Sequence, residues 1–94
     1  MERNILSSEA LDEALKALSG WRVEGGHLKK RVTFTDFAAS LAFVNSVGEL
    51  AEAADHHPDI TFGWGYCEVA LTTHDRGGIT AKDTALAHLI DKLS

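Results

Sequence analysis

Apolar residues recur along this chain with two periods, one near 3.6 and one of 2, and their alternation predicts seven elements. Leu11, Leu15 and Leu18 share one helical face behind a capping Ser7 or Ser8, and Gly20 stands where that helix should end. Two alternating segments follow, Trp21–Glu24 and His27–Phe34, joined by Gly25-Gly26. Such a glycine pair supplies the positive φ angles of a tight hairpin. Thr35 or Asp36 can then cap a long helix reaching about Asp55. Its apolar residues form two stripes, Phe37, Leu41 and Val44, then Phe43, Val47 and Leu50. A helix apolar on more than one side is buried on more than one side. In so short a chain the second side is expected to meet another subunit.

Pro58 forbids easy continuation of that helix, because the residue before a proline is pushed out of the α region. His56 and His57 therefore fall at the helix end or just past it. Asp59–Trp64 and Tyr66–Thr73 read as a second hairpin around Gly63 to Gly65, with Cys67, Val69 and Leu71 alternating against Glu68, Ala70 and Thr72. Gly77-Gly78 marks a turn. Thr80-Ala-Lys-Asp83 has the form of a capping box, with Asp in place of Glu or Gln, and opens a last helix expected to turn Leu86, Leu89, Ile90 and Leu93 inward. The order α-β-β-α-β-β-α predicts an α+β fold in two layers, a four-stranded antiparallel sheet with helices packed on one face. With no linker, repeat or low-complexity segment, residues 1–94 read as one domain.

Composition narrows the function classes. Hydrophobic residues make up 45% of the 94, enough for one core without disulfides or metal, and no stretch is long enough to span a membrane. The single cysteine, Cys67, excludes an intramolecular disulfide, and its apolar parity places it in the core rather than at a reactive site. Met1-Glu2-Arg3-Asn4 lacks the basic and apolar regions of a signal peptide, so a cytoplasmic location is expected. Nine basic against 14 acidic residues leave a net charge of −5, which argues against direct nucleic-acid binding. The densest basic run, Lys29-Lys30-Arg31, reads as a solvated strand face.

The candidate chemistry is concentrated. Three of the five histidines, His56, His57 and His74, fall within 19 residues, beside Glu52 and Asp55. Histidine is the side chain whose ordinary pKa, about 6.5, allows proton exchange near neutrality. In an extended backbone His56 and His57 point to opposite sides; at a helix end before proline both can line one cleft. His74 closes a strand after Thr72 and Thr73, whose hydroxyls donate and accept hydrogen bonds. A metal site is the competing reading, but adjacent histidines seldom ligate one ion together and no His-x-x-x-His pair is present. His27 and His88 have no ionisable cluster around them and read as surface residues.

The pattern Glu52-x3-His56-His57-Pro58-x5-Trp64-x9-His74-x8-Asp83 resembles the signature of the pterin-4a-carbinolamine dehydratases. Gly20-Trp21, Phe34-x-Asp36-Phe37 and Leu71-Thr-Thr-His-Asp75 extend the likeness over essentially the whole chain, the last resembling the family's Leu-Ser-Thr-His-Glu with a shorter carboxylate. The resemblance implies a lyase that dehydrates 4a-hydroxytetrahydropterin to the quinonoid dihydropterin without metal or cofactor. It implies His56 and His74 as the acid–base pair and His57 chiefly as a pterin ligand. The pterin-contacting segments map onto Asp55-His56-His57 and Thr72-Thr73-His74-Asp75. Glu52 and Asp83 support the site by hydrogen bonding, or are only a surface charge and a helix cap. Trp64 is a wall of the pocket or simple hairpin packing. The family also implies a homodimer or homotetramer, and some members act as adaptors that bind a transcription factor, a role the long apolar helix would equally suit.

Overall fold

The computed structural model describes residues 4–93 of the chain. The elements are α1 (Ser8–Leu15), β1 (Arg22–Glu24), β2 (His27–Thr33), α2 (Phe37–Ala54), β3 (Asp59–Gly63), β4 (Tyr66–Leu71) and α3 (Ala81–Asp91), with one 3-10 turn at His74–Arg76 before α3. The α+β order predicted from periodicity is the order found. All strand pairs are antiparallel, and the sheet runs β1-β2-β4-β3. Gly25 and Gly26 both have positive φ (58° and 77°), the type I′ geometry that matches the twist of the strands it joins.

Period-2 alternation divides the sheet into an open face and a helix-covered face. Leu28, Cys67, Val69 and Leu71 are fully buried on the covered side, against Phe43, Val47 and Ala51 of α2 and Leu86, Ala87 and Ile90 of α3. Each large aliphatic side chain buried there contributes roughly 1.5–3 kcal/mol. Cys67 is wholly enclosed, and burial pushes its thiol up to about 11. Native protein at pH 8 is therefore expected to react with a thiol reagent only on unfolding, so a stoichiometric reaction under native conditions, followed by absorbance, would contradict this placement.

Several expectations change. The first helix is shorter than predicted: after Leu15 the bonds Lys16 N–H to Glu13, Ala17 to Ala14 and Leu18 to Leu15 are three-residue bonds, which tighten the last turn yet keep Leu18 on the core. On α2 the stripe of Phe43 and Val47 faces the sheet, joined by buried Ser40 and Ala51, whereas Phe37 and Leu41 remain exposed, Phe37 lying against Phe62. Leu89 and Leu93 are exposed too, because the inward positions of α3 are taken by Asp83, Leu86, Ala87 and Ile90.

The basic run is split by the strand period. Lys29 pairs with Glu24, and Arg31 stacks over Tyr66 on the open face. Lys30 instead turns to the covered side and meets Asp91, at the end of α3, at 2.6 Å. The expectation of a uniformly solvated basic face is thus corrected for Lys30. A long side chain with one charged atom can cross an apolar layer edge when a carboxylate receives it.

Candidate active site

Adjacent residues His56 and His57 are aimed by the way α2 stops. Asp55 takes the left-handed conformation (φ 52°, ψ 44°), and His56 N–H returns to the Ala51 carbonyl at 3.1 Å, a Schellman-type closure. Asp and Asn are the side chains other than glycine that tolerate this region best. The reversal sends the two imidazoles to different supports. His56 Nε2 lies 2.5 Å from Asp83 Oδ1, with the imidazole 11% exposed and the carboxylate completely buried. His57 Nε2 lies 2.5 Å from Glu52 Oε2 at the solvent edge.

Asp83 belongs to the first turn of α3. Thr80 caps that helix, and Asp83 Oδ2 accepts the Thr80 backbone N–H at 2.9 Å, completing the capping box read from the sequence. The same oxygen accepts the Thr73 hydroxyl at 2.9 Å, and Thr73 Oγ1 stands 2.8 Å from Thr80 Oγ1. Thr72 donates its hydroxyl to the Gly26 carbonyl at 3.0 Å, tying the end of β4 to the first hairpin. No buried side-chain polar atom is left unpaired among the described residues.

These elements enclose a cleft of about 330 Å³ lined by Asp55, His56, His57, Thr72, Thr73, His74, Asp75 and Lys82. All three clustered histidines share it, so the alternative of opposed imidazoles does not arise. His74 does not close the strand as expected. β4 ends at Leu71, Thr73 makes a bridge to Gly78, and His74 opens the 3-10 turn, which leaves its side chain exposed at the rim. Pro58 follows the cleft residues directly and leads into β3. Trp64 is elsewhere: it sits in the β3–β4 turn, 72% exposed, at the other end of strands whose opposite ends border the cleft. Five strand residues place it roughly 17 Å away, so it is no wall of this pocket.

Lys82 was not singled out from the sequence, nor was Thr80 for anything beyond capping. The available signal was their place in the capping box, Lys82 directly before Asp83 and Thr80 three residues before it. Among the described residues, no group of three His, Cys, Asp or Glu side chains is close enough to hold a metal ion.

Fold and cleft together define an α+β protein whose imidazole groups, two of them backed by carboxylates, line one cleft. The chain belongs to the pterin 4 alpha carbinolamine dehydratase family, whose model matches residues 4–93. A protein of Metallosphaera sedula named "Putative pterin-4-alpha-carbinolamine dehydratase" is 46% identical over 88 residues, 94% of this chain and 92% of that one. One of the same name from Thermosynechococcus vestitus is 46% identical over 89 residues, covering 95% and 94%. Among solved structures, a transcriptional coactivator/pterin dehydratase from Brucella melitensis superposes with a TM-score of 0.90 at 32% identity, over 96% of this chain and 98% of that one. A pterin dehydratase-like protein, identified as a RuBisCO assembly factor in the α-carboxysome, superposes with a TM-score of 0.67 at 30% identity, over 82% and 92%.

Proposed function

We propose that this chain, as a single domain, is a hydro-lyase that removes water from 4a-hydroxytetrahydropterin to give the quinonoid dihydropterin. The observation that carries the reading is the convergence of His56, His57 and His74 on one cleft with His56 held by a buried carboxylate. In the reaction an acid protonates the hydroxyl on C4a, the C4a–O bond breaks, a base takes the proton from N5, and the N5–C4a double bond forms. His56 and His74 exchange these two protons, and each well-placed group is worth about 10²–10⁴-fold. His57, paired with Glu52 at the rim, binds the pterin together with Asp55 and Asp75. No metal ion or cofactor takes part in these steps, and a cytoplasmic setting belongs to the same reading.

The experiment is dehydration of chemically generated 4a-hydroxytetrahydropterin, followed by ultraviolet absorbance, with the protein and with a His56→Ala/His74→Ala double variant. Acceleration that disappears in the double variant is expected. A rate equal to the spontaneous one, with the protein folded, would overturn the reading.

A second reading draws on the exposed Phe37 and Leu41 of α2 and on two solved relatives described as a transcriptional coactivator/pterin dehydratase and as a RuBisCO assembly factor. In it the α2 face docks a protein, whether a copy of this chain in a homodimer or homotetramer or another partner. Self-association is compatible with catalysis. A module that served only as an adaptor would have no use for the Asp83–His56 pair, which favours the enzyme.

A further inference from the structure

The polar chain behind His56 has a single direction. An ionised carboxylate only accepts hydrogen bonds, and a backbone N–H only donates. Thr80 N–H and the Thr73 hydroxyl both donate to Asp83 Oδ2. Having given its one proton to Asp83, Thr73 Oγ1 must accept from Thr80 Oγ1–H, and Thr80 Oγ1 in turn accepts from Lys82 N–H at 3.2 Å. Oδ1 is left to receive Nε2–H of His56. Every member of the chain is buried or backbone: Asp83 and Thr80 are fully enclosed, and Thr73 is 6% exposed. No lysine or arginine pairs with Asp83 among the described residues, so His56 is its one ionisable partner.

We propose that the capping box of α3 sets the tautomer of His56, so that Nδ1 is the atom that exchanges a proton with the substrate, and that Thr73 is a positioning residue acting through Asp83 rather than a pterin ligand. The proposal rests on the dehydratase reading for the identity of the reaction, while the tautomer itself does not. Whether His56 serves as acid or base, the proton leaves or arrives at Nδ1. Nε2 keeps its own proton on Asp83 throughout, so the imidazolium formed when His56 accepts from N5 is stabilised by the carboxylate behind it. The proton given to the departing hydroxyl comes from the other histidine, and water leaves with it.

Asp83→Asn reverses this arrangement without changing shape. Thr80 N–H can only donate, so it and the Thr73 hydroxyl hold the amide oxygen at the Oδ2 position. The amide N–H then faces His56 Nε2, which must become the acceptor, and the ring proton moves to Nδ1. The cap survives, because the oxygen still receives Thr80 N–H.

The test combines imidazole ¹⁵N NMR, which separates the two neutral tautomers, with steady-state kinetics. Spectra are recorded at about pH 9, well above the ordinary histidine pKa, with the His56 signal assigned by its loss in His56→Gln. The expected wild-type form is Nε2–H, and Asp83→Asn is expected to convert it to Nδ1–H while kcat falls about 10²–10⁴-fold with KM within a few-fold. Thr73→Val should lower kcat about 10-fold, and Thr73→Ser should restore it by returning the hydroxyl. A wild-type Nδ1–H form, an unchanged tautomer in Asp83→Asn, or an inverted tautomer with unchanged kcat would each overturn the proposal. Failure of the dehydratase reading looks different: wild-type protein would not accelerate dehydration at all, while the NMR comparison would still decide the tautomer.

Discussion

Asp91→Ala is expected to lower the stability of the fold by about 3 kcal/mol at neutral pH, measured by urea unfolding. Asp91 is 13% exposed and joins three parts of the chain: it accepts Ser19 N–H and Trp21 Nε1–H, each at 2.8 Å, and pairs with Lys30 Nζ at 2.6 Å. Truncation leaves a largely buried ammonium and the Trp21 indole N–H without their partner, and unpairing a sequestered charge costs more than the pair contributed. Against the 5–15 kcal/mol typical of a small domain this is a large share, and a Tm lower by at least about 10 °C should accompany it. The effect has a pH signature. Burial by itself raises the Asp91 carboxyl, but Lys30, the Trp21 indole and the Ser19 amide together outweigh it and hold the group below its ordinary 3.8. The unfolded chain therefore takes up this proton first as pH falls. The contribution is complete above about pH 4 and is lost as pH drops through the lower folded value, so the gap between wild type and Asp91→Asn should narrow in that acid range. A gap that stayed constant to pH 2 would contradict the role given to Asp91.

The single histidine variants should separate by parameter. His56→Ala and His74→Ala are each expected to lower kcat by about 10²–10⁴-fold with little change in KM, as for groups that act only in the transition state. His57→Ala should raise KM about tenfold and leave kcat within a few-fold, because its imidazole is braced by an exposed Glu52 at the rim rather than by the buried carboxylate. Steady-state rates over a range of pterin concentration distinguish the patterns. If His57→Ala lowered kcat more than either of the others with KM unchanged, the division of roles would be wrong.

Much of the fold was legible because its signals are local. Alternation at Cys67, Val69 and Leu71, the glycine pair at Gly25 and Gly26, and the Thr80–Asp83 box each act within a few residues, and each appears in the structure as read. Leu89 and Leu93 were misread for a related reason. Helical periodicity marks a face as apolar without saying how wide a surface exists to cover it, and on α3 that surface covers Leu86, Ala87 and Ile90 but stops short of Leu89.

The site divides in the same way. From the sequence by itself came the family pattern, the three clustered histidines and the helix end before Pro58, because residue type and spacing along one chain carry them. Tertiary structure alone decided which carboxylate serves which imidazole. Asp83 reaches His56 across 27 residues, Glu52 turns back to His57, and Thr73 is drawn into the Asp83 network instead of standing free in the cleft. It likewise removed Trp64 to the far end of the sheet and turned Lys30 inward to Asp91. A hydrogen bond depends on distance and direction between atoms, and for residues far apart in the chain those are set only when the layers pack.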